Sequence, residues 1–263
     1  MIDNPKAPRV RRIAALARKK DRFAAGQFLV EGPQAVCELL AHAPELALTV
    51  YATMGGESWQ FEVDRLADDA GVEIVRVSDD VLAAMADTVQ PQGVVAVARL
   101  ESASLDEALA KAKLVAVLHE VRDPGNAGTV LRAADAAGAD VVVFAGESID
   151  PWHPKVVRST TGSLFHLPIV AAVSLAETVT AARERGLAVI AADVNGDELR
   201  ADDVALAAPT AWVFGNEARG LSEADRELAD RALRLPIYGK AESLNLATAA
   251  SVCLYTTAFA QRA

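Results

Sequence analysis

Three short stretches of the chain combine turn-forming glycines with amide, carboxylate and guanidinium side chains, and these are where chemistry could be carried. The first is Asp123-Pro124-Gly125-Asn126-Ala127-Gly128-Thr129-Val130-Leu131-Arg132. Pro-Gly makes a turn, Asn126 reads as the N-cap of the helix behind it, and Arg132 shares a helix face with Thr129. A guanidinium just past a helix N-terminus suits a phosphate or a carboxylate. The second, Val213-Phe214-Gly215-Asn216-Glu217-Ala218-Arg219-Gly220-Leu221-Ser222, leaves an apolar strand through a polar turn. Gly215 admits close backbone approach by a ligand, Gly220 permits a left-handed turn, and Ser222 can cap the next helix. The third, Leu235-Pro236-Ile237-Tyr238-Gly239-Lys240-Ala241-Glu242-Ser243-Leu244-Asn245-Leu246, feeds a long Ala-rich helix that Ser243 or Asn245 can cap. Capped that way, the helix aims backbone N–H groups and a side-chain amide at a ligand. Taken one at a time, ordinary turns and helix caps account for each stretch at least as well.

Other chemistries lack their residues. His42, His119, His153 and His166 have no metal-ligand spacing, so no metal is expected, and no Ser/His/Asp order emerges. Neither Gly-x-Gly-x-x-Gly nor a phosphate loop ending in Gly-Lys-Ser/Thr occurs, which removes the usual fingerprints of dinucleotide and nucleoside triphosphate enzymes. Cys37 and Cys253 each sit in an apolar helical pattern far from the other and read as buried thiols in a reducing cytoplasm.

The elements that must position these stretches alternate between strand and helix. After a helical pattern near Ile13–Lys20 come strands at 28–30, 46–52, 73–77 and 93–100, with helices at 34–43, 57–70 and 78–87. The polar segment 101–113 marks a domain boundary, giving a first domain of residues 1–105 and a second of 106–263. In the second, strands are expected at 114–118, 140–145, 168–172, 187–192, 211–215 and 232–235. Helices are expected there at 127–137, 153–160, 175–185, 223–230 and 246–262. Continuous apolar strands such as Val141-Val142-Val143-Phe144 suit a parallel sheet covered on both faces, so the fold class is α/β.

A net charge of −10 argues at first against a nucleic-acid partner, but its distribution is uneven. Residues 1–22 hold Lys6, Arg9, Arg11, Arg12, Arg18, Lys19, Lys20 and Arg22 against Asp3 and Asp21, a local balance of +6. The remaining 18 Lys/Arg face 34 Asp/Glu, a balance of −16. A basic arm on an acidic body can reach phosphates, and an ordinary solvated segment explains it equally well. Lys155 and Arg158 stand as further RNA contacts or plain surface cations. The opening residues are polar and basic with no apolar leader core, and no run of 18 uncharged apolar residues occurs, so no membrane span is expected.

In this order and spacing the three stretches resemble the SpoU family of RNA ribose 2′-O-methyltransferases, within the SPOUT superfamily. The matching residues are Asn126 with Arg132, Gly215-Asn216-Glu217 with Gly220-Leu221, and Ser243-Leu244-Asn245. The segment Asp150–Arg158 through Gly162-Ser163-Leu164-Phe165 is similar to the same family. Phe28-Leu29-Val30-Glu31-Gly32-Pro33 resembles the opening of its small N-terminal domain, a ribosomal-protein-like α/β RNA-binding fold. The resemblance implies a C-terminal SPOUT domain with a parallel sheet and a deep trefoil knot, S-adenosylmethionine as cofactor, and a homodimer with the active site near the interface. It implies cofactor contacts from Gly215, Leu235, Ile237 and Leu244, and catalytic roles for Asn126, Arg132, Glu217, Ser243 and Asn245. RNA would be met by Arg9, Arg11, Arg12, Arg18, Lys19, Lys20, Arg22, Lys155 and Arg158. Ribosomal RNA of the 23S type is the expected substrate. The competing readings are a transfer-RNA methyltransferase, a non-catalytic RNA-binding or ribosome-assembly factor of the same fold and, more remotely, a small-molecule enzyme with a nucleotide-binding α/β fold.

Overall fold

A computed structural model describes all residues, Met1–Ala263. The chain divides into two compact units, residues 1–101 with 152–166 and residues 102–151 with 167–263.

The first unit opens with helices α1 (Pro8–Ala15) and α2 (Lys19–Ala25). It continues through β1 (Gln27–Glu31), α3 (Pro33–His42), β2 (Ala47–Ala52), α4 (Gln60–Ala70), β3 (Ile74–Arg76), α5 (Asp79–Met85) and β4 (Val94–Arg99). The sheet order is β1-β4-β2-β3, with β4 antiparallel to both β1 and β2 and with β2 parallel to β3. The basic arm is therefore not a free tail. Val10, Ile13 and Leu16, at helical spacing, are buried in one core with Leu29, Tyr51, Leu82 and Val97. The single helix expected near Ile13–Lys20 is two helices. Arg22 is 0% exposed, and its guanidinium donates to the Leu16 carbonyl at 2.9 Å and the Ala17 carbonyl at 2.7 Å, filling the orphan acceptors where α1 stops.

The second unit holds α6 (Leu105–Leu109), β5 (Leu114–His119), α7 (Pro124–Ala137) and β6 (Val141–Ala145). The next helix, α8 (Pro154–Thr160), lies in the 152–166 segment that packs with the first unit, although the sequence reading carries it with residues 106–263. Its buried face, Val156 and Val157, and the Phe165–Phe28 ring contact supply the apolar surface for that packing. Then follow β7 (Ile169–Val173), α9 (Leu175–Glu184), β8 (Ala188–Glu198), β9 (Thr210–Phe214), α10 (Glu223–Glu227), β10 (Arg231–Arg234) and α11 (Leu246–Arg262).

All six strands of this unit pair in parallel, in the order β10-β8-β9-β5-β6-β7. Every residue of β5 is buried, as a strand covered on both faces requires. Helix α11 packs along α7, and the small residues Ala127, Ala134, Ala247 and Ala250 allow the two backbones to approach closely. The buried Trp212 indole N–H donates to Thr257 at 2.8 Å, tying β9 to α11. Strand β8 runs six residues beyond its apolar stretch because, past a bulge at Ala232/Leu233, its end still pairs with β10. Gly196 makes this possible, since a Cβ there would lie 2.4 Å from the Ala232 carbonyl carbon. No helix is long and apolar enough to cross a membrane.

Candidate active site

The loops leaving β5, β9 and β10 carry the three sequence stretches, at the carboxyl ends of parallel strands where open α/β sheets place ligands. The first loop is set by Asp123 rather than Asn126. Pro124 occupies the first turn of α7, and the Asp123 carboxylate caps it by accepting from the Asn126 N–H at 2.7 Å. This corrects the expected cap, and it leaves the Asn126 side-chain amide available for other contacts.

That amide joins the other two loops. Its nitrogen donates to Glu217 Oε1 at 3.4 Å, and its oxygen accepts from Asn245 Nδ2 at 2.9 Å. The Glu217 carboxylate also accepts the Asp123 N–H at 2.9 Å and the Arg122 N–H at 3.1 Å. Asn245, not Ser243, is the N-cap of α11, accepting from the Ala247 and Thr248 N–H groups at 2.9 and 3.3 Å. Residues separated by 91 and 119 positions thus form one hydrogen-bonded line, Glu217–Asn126–Asn245. A charged acceptor at one end and a helix cap at the other fix its direction.

The loop after β9 closes on itself. Asn216 and Gly220 exchange backbone hydrogen bonds, and Asn216 Oδ1 accepts the Ala218 and Arg219 N–H groups at 3.0 and 3.2 Å. Its Nδ2 donates to the Glu120 carbonyl at 2.8 Å, while Arg219 pairs with the Glu120 carboxylate, also at 2.8 Å. A Cβ on Gly215 would lie 2.6 Å from the Gly220 carbonyl carbon, so only glycine permits this closure.

A cleft of about 720 Å³ opens beside this line. Gly215, Glu217, Leu235, Ile237, Ser243 and Leu244, all named from sequence, line it. Its wall also includes Asp193, Val194, Asn195, Glu198, Tyr238 and Glu242, which sequence reading missed. Four carboxylates (Asp193, Glu198, Glu217, Glu242) against Arg219 and Arg234 favour a cationic ligand. Cys253 on α11 also lines the cleft; burial pushes its thiol up to about 12, so it is a neutral, apolar wall.

Arg132 stands apart from this network. It is exposed on α7, forms no hydrogen bond or ion pair, and does not line the cleft. The basic residues of the first unit also divide. Arg11, Arg12, Lys20 and Lys155 are exposed, Arg18 pairs with Asp21 at 2.6 Å, and Lys19 lies over the Phe23 ring. Arg9 donates to the Tyr51 hydroxyl at 2.7 Å beside a groove of about 560 Å³ that Arg12 also lines. Two of the expected RNA contacts are engaged elsewhere. Buried Arg22 is a structural cap, and Arg158 is held by Glu31 at 3.2 Å and Asp87 at 3.0 Å.

Comparison with known proteins places these features in a family. Residues 113–255 match the profile of the SpoU rRNA Methylase family, and residues 7–96 match the MRM3-like substrate binding domain. The chain is 33% identical over 257 residues to the 23S rRNA (guanosine(2553)-2′-O)-methyltransferase RlmP of Bacillus subtilis, covering 97% of each chain. It is 34% identical over 250 residues to the 23S rRNA (uridine(2479)-2′-O)-methyltransferase of Streptomyces viridochromogenes, covering 92% of this chain and 86% of that one. Among solved structures, the SpoU methyltransferase AviRb of Streptomyces viridochromogenes in complex with AdoMet superposes with a TM-score of 0.83 at 32% identity, over 97% of this chain and 99% of that one. With its matched profile spanning more than half the sequence, the chain belongs to the SpoU rRNA methylase family.

Proposed function

We infer that the protein is an S-adenosylmethionine-dependent RNA ribose 2′-O-methyltransferase acting on ribosomal RNA of the 23S type. The observation that carries this is the Glu217–Asn126–Asn245 line running beside a cleft walled by Gly215, Leu235, Ile237 and Leu244. The cleft's fit to the cofactor rests on its own chemistry, an apolar wall and glycine backbone under an acidic rim suited to a cation. S-adenosylmethionine, when bound, supplies a methyl group made electrophilic by its sulfonium. Gly215, Leu235, Ile237 and Leu244 would hold it, with Ser243 shaping the loop.

The remaining roles concern the ribose. Asn126, Glu217 and Asn245 orient it, so catalysis is chiefly positioning. Arg132 clamps an adjacent phosphate and stabilises the developing alkoxide. It is not the proton acceptor, because a guanidinium has no acceptor capacity; the 2′-hydroxyl proton would leave to solvent water as the oxygen takes the methyl group. Its lack of any partner within the chain leaves its donors available to RNA.

The protein works as a homodimer through the face of α11 that carries Val252, Tyr255 and Phe259, all exposed. Tyr255 donates to the Ala136 carbonyl of α7, which places this face next to the helix that bears Arg132. A dimer formed there would bring Arg132 to the active-site region. Phe259→Asp should yield monomers in sedimentation velocity; an unchanged dimer would rule this face out. The chain path is a trefoil knot around the cleft, supported by the meeting of the end of β8 with the loops at 214–221 and 235–246. An experimental density trace in which 235–246 passes outside the preceding loops contradicts it. The site of action is the cytoplasm, where fractionation should recover the protein.

Exposed Arg11, Arg12, Lys19 and Lys20, with the groove at Arg9 and Tyr51, supply phosphate contacts that capture the RNA. Incubation with ribosomal RNA and labelled cofactor should place methyl groups on a ribose 2′-oxygen. Absence of incorporation into any ribosomal RNA, naked or ribosome-bound, would refute the assignment.

A further inference from the structure

The first unit brings together two histidines that are 124 positions apart in sequence. His42 ends α3 one turn after Glu38, and His166 follows α8 in the 152–166 segment. Both imidazole Nε2 atoms converge on one carboxylate oxygen, Glu38 Oε2, at 3.3 Å from His42 and 3.1 Å from His166. The rings meet edge-on with centroids 4.6 Å apart, and the three candidate ligand atoms lie within 4.8 Å of one another.

We propose that Glu38, His42 and His166 form a binding site for a divalent transition metal of the zinc class, separate from the methyl-transfer site. Ligands about 2.0–2.1 Å from a tetrahedral zinc stand about 3.3 Å from each other, close to both observed nitrogen–oxygen separations. The two imidazole nitrogens, within 4.8 Å of each other, would have to close toward the same spacing. Two neutral imidazoles and one carboxylate are a donor set common to zinc sites, with solvent completing the coordination.

The surroundings hold the carboxylate for this task. Gln34 donates to its other oxygen, Oε1, at 2.6 Å, leaving Oε2 turned to the histidines. Gly162, at φ +107°, packs where a Cβ would lie 2.3 Å from Glu38 Cγ, so the segment can close over the glutamate stem only with glycine there. The Arg158 pairs with Glu31 and Asp87 hold the same segment by charge. A metal would add a third, stronger clip between α3 and the chain after α8, and its binding free energy would appear as stability of this unit.

The test uses the full-length, tag-free protein titrated with Zn²⁺ after chelator treatment. Calorimetry should give one equivalent per chain, and the melting temperature should rise with Zn²⁺ concentration. Glu38→Gln, His42→Asn and His166→Asn should each weaken binding at least tenfold and abolish the melting shift, while their metal-free melting temperatures show that they fold. Co²⁺ in place of Zn²⁺ should give the visible absorption of a tetrahedral nitrogen/oxygen site in the parent and not in His166→Asn. No stoichiometric binding, or binding that survives these substitutions, would overturn the proposal.

Discussion

Both sheets of this molecule alternate strand and helix, and the two units distribute their polar groups differently. In the second unit six parallel strands end on the same side, so loops 91 to 119 residues apart meet in Glu217–Asn126–Asn245. In the first unit β1, β2 and β3 share one direction and β4, lying between β1 and β2, is reversed. Its cations are spread out, exposed along α1 and α2 or held in ion pairs on the 152–166 segment. A cleft where loops converge suits methyl transfer, and a spread of exposed cations suits phosphate contacts.

This contrast breaks most readily at Arg132. Arg132→Ala should lower single-turnover methyl transfer by roughly 10²–10³-fold with cofactor affinity nearly unchanged, since removing a transition-state donor costs about that much. Gly215→Ala should do the reverse, losing cofactor affinity through the clash with Gly220. If Arg132→Ala abolishes cofactor binding, its assignment to the RNA side is wrong.

Asn245→Ala should be smaller and mixed. Loss of the α11 cap costs about 1 kcal/mol of stability, read from denaturant midpoints, and the freed Asn126 amide lowers turnover as well. A stability loss with full turnover would reduce Asn245 to a cap alone.

On the other unit, changing Arg11, Arg12, Lys19 and Lys20 together to Gln should weaken RNA binding and lower its salt slope by about 3, with cofactor affinity unmoved. An unaltered slope would take RNA capture away from α1 and α2.

The subtlest contrast is between the two thiols. Burial raises both, with Glu62 and Glu38 adding to the effect at half-buried Cys37 and burial alone taking Cys253 to about 12. At pH 8 a thiol reagent should therefore label Cys37 slowly and Cys253 only on unfolding. Native labelling of Cys253 as fast as that of Cys37 would show that α11 does not seal the cleft wall.

Much of this was legible in the sequence because apolar periodicity survives unaltered. The run Val141-Val142-Val143-Phe144 is β6, and the Ala-rich tail is α11 over 246–262, as expected. The three site stretches were legible as turns following strands. What escaped was whatever depends on a distant partner. Arg22 reads as one more cation in a basic run, yet it is buried because α1 ends on carbonyls it can reach. The strand expected over 187–192 stops short of Asp193-Val194-Asn195-Gly196-Asp197-Glu198, yet pairing with β10 keeps this segment extended and makes it a wall of the cleft. Asn126 reads as a cap, but Pro124 in the first turn shifts that role to Asp123. His42 and His166 carry no spacing signal, since only the return of the 152–166 segment makes them neighbours.

The most direct test is an experimental structure of the protein soaked with S-adenosylmethionine. The ligand should lie in the cleft against Gly215, Leu235, Ile237 and Leu244, with its methyl group on the side of Asn126 and Asn245. A ligand bound anywhere else, or one whose methyl group is walled off from that line of side chains, would contradict the account.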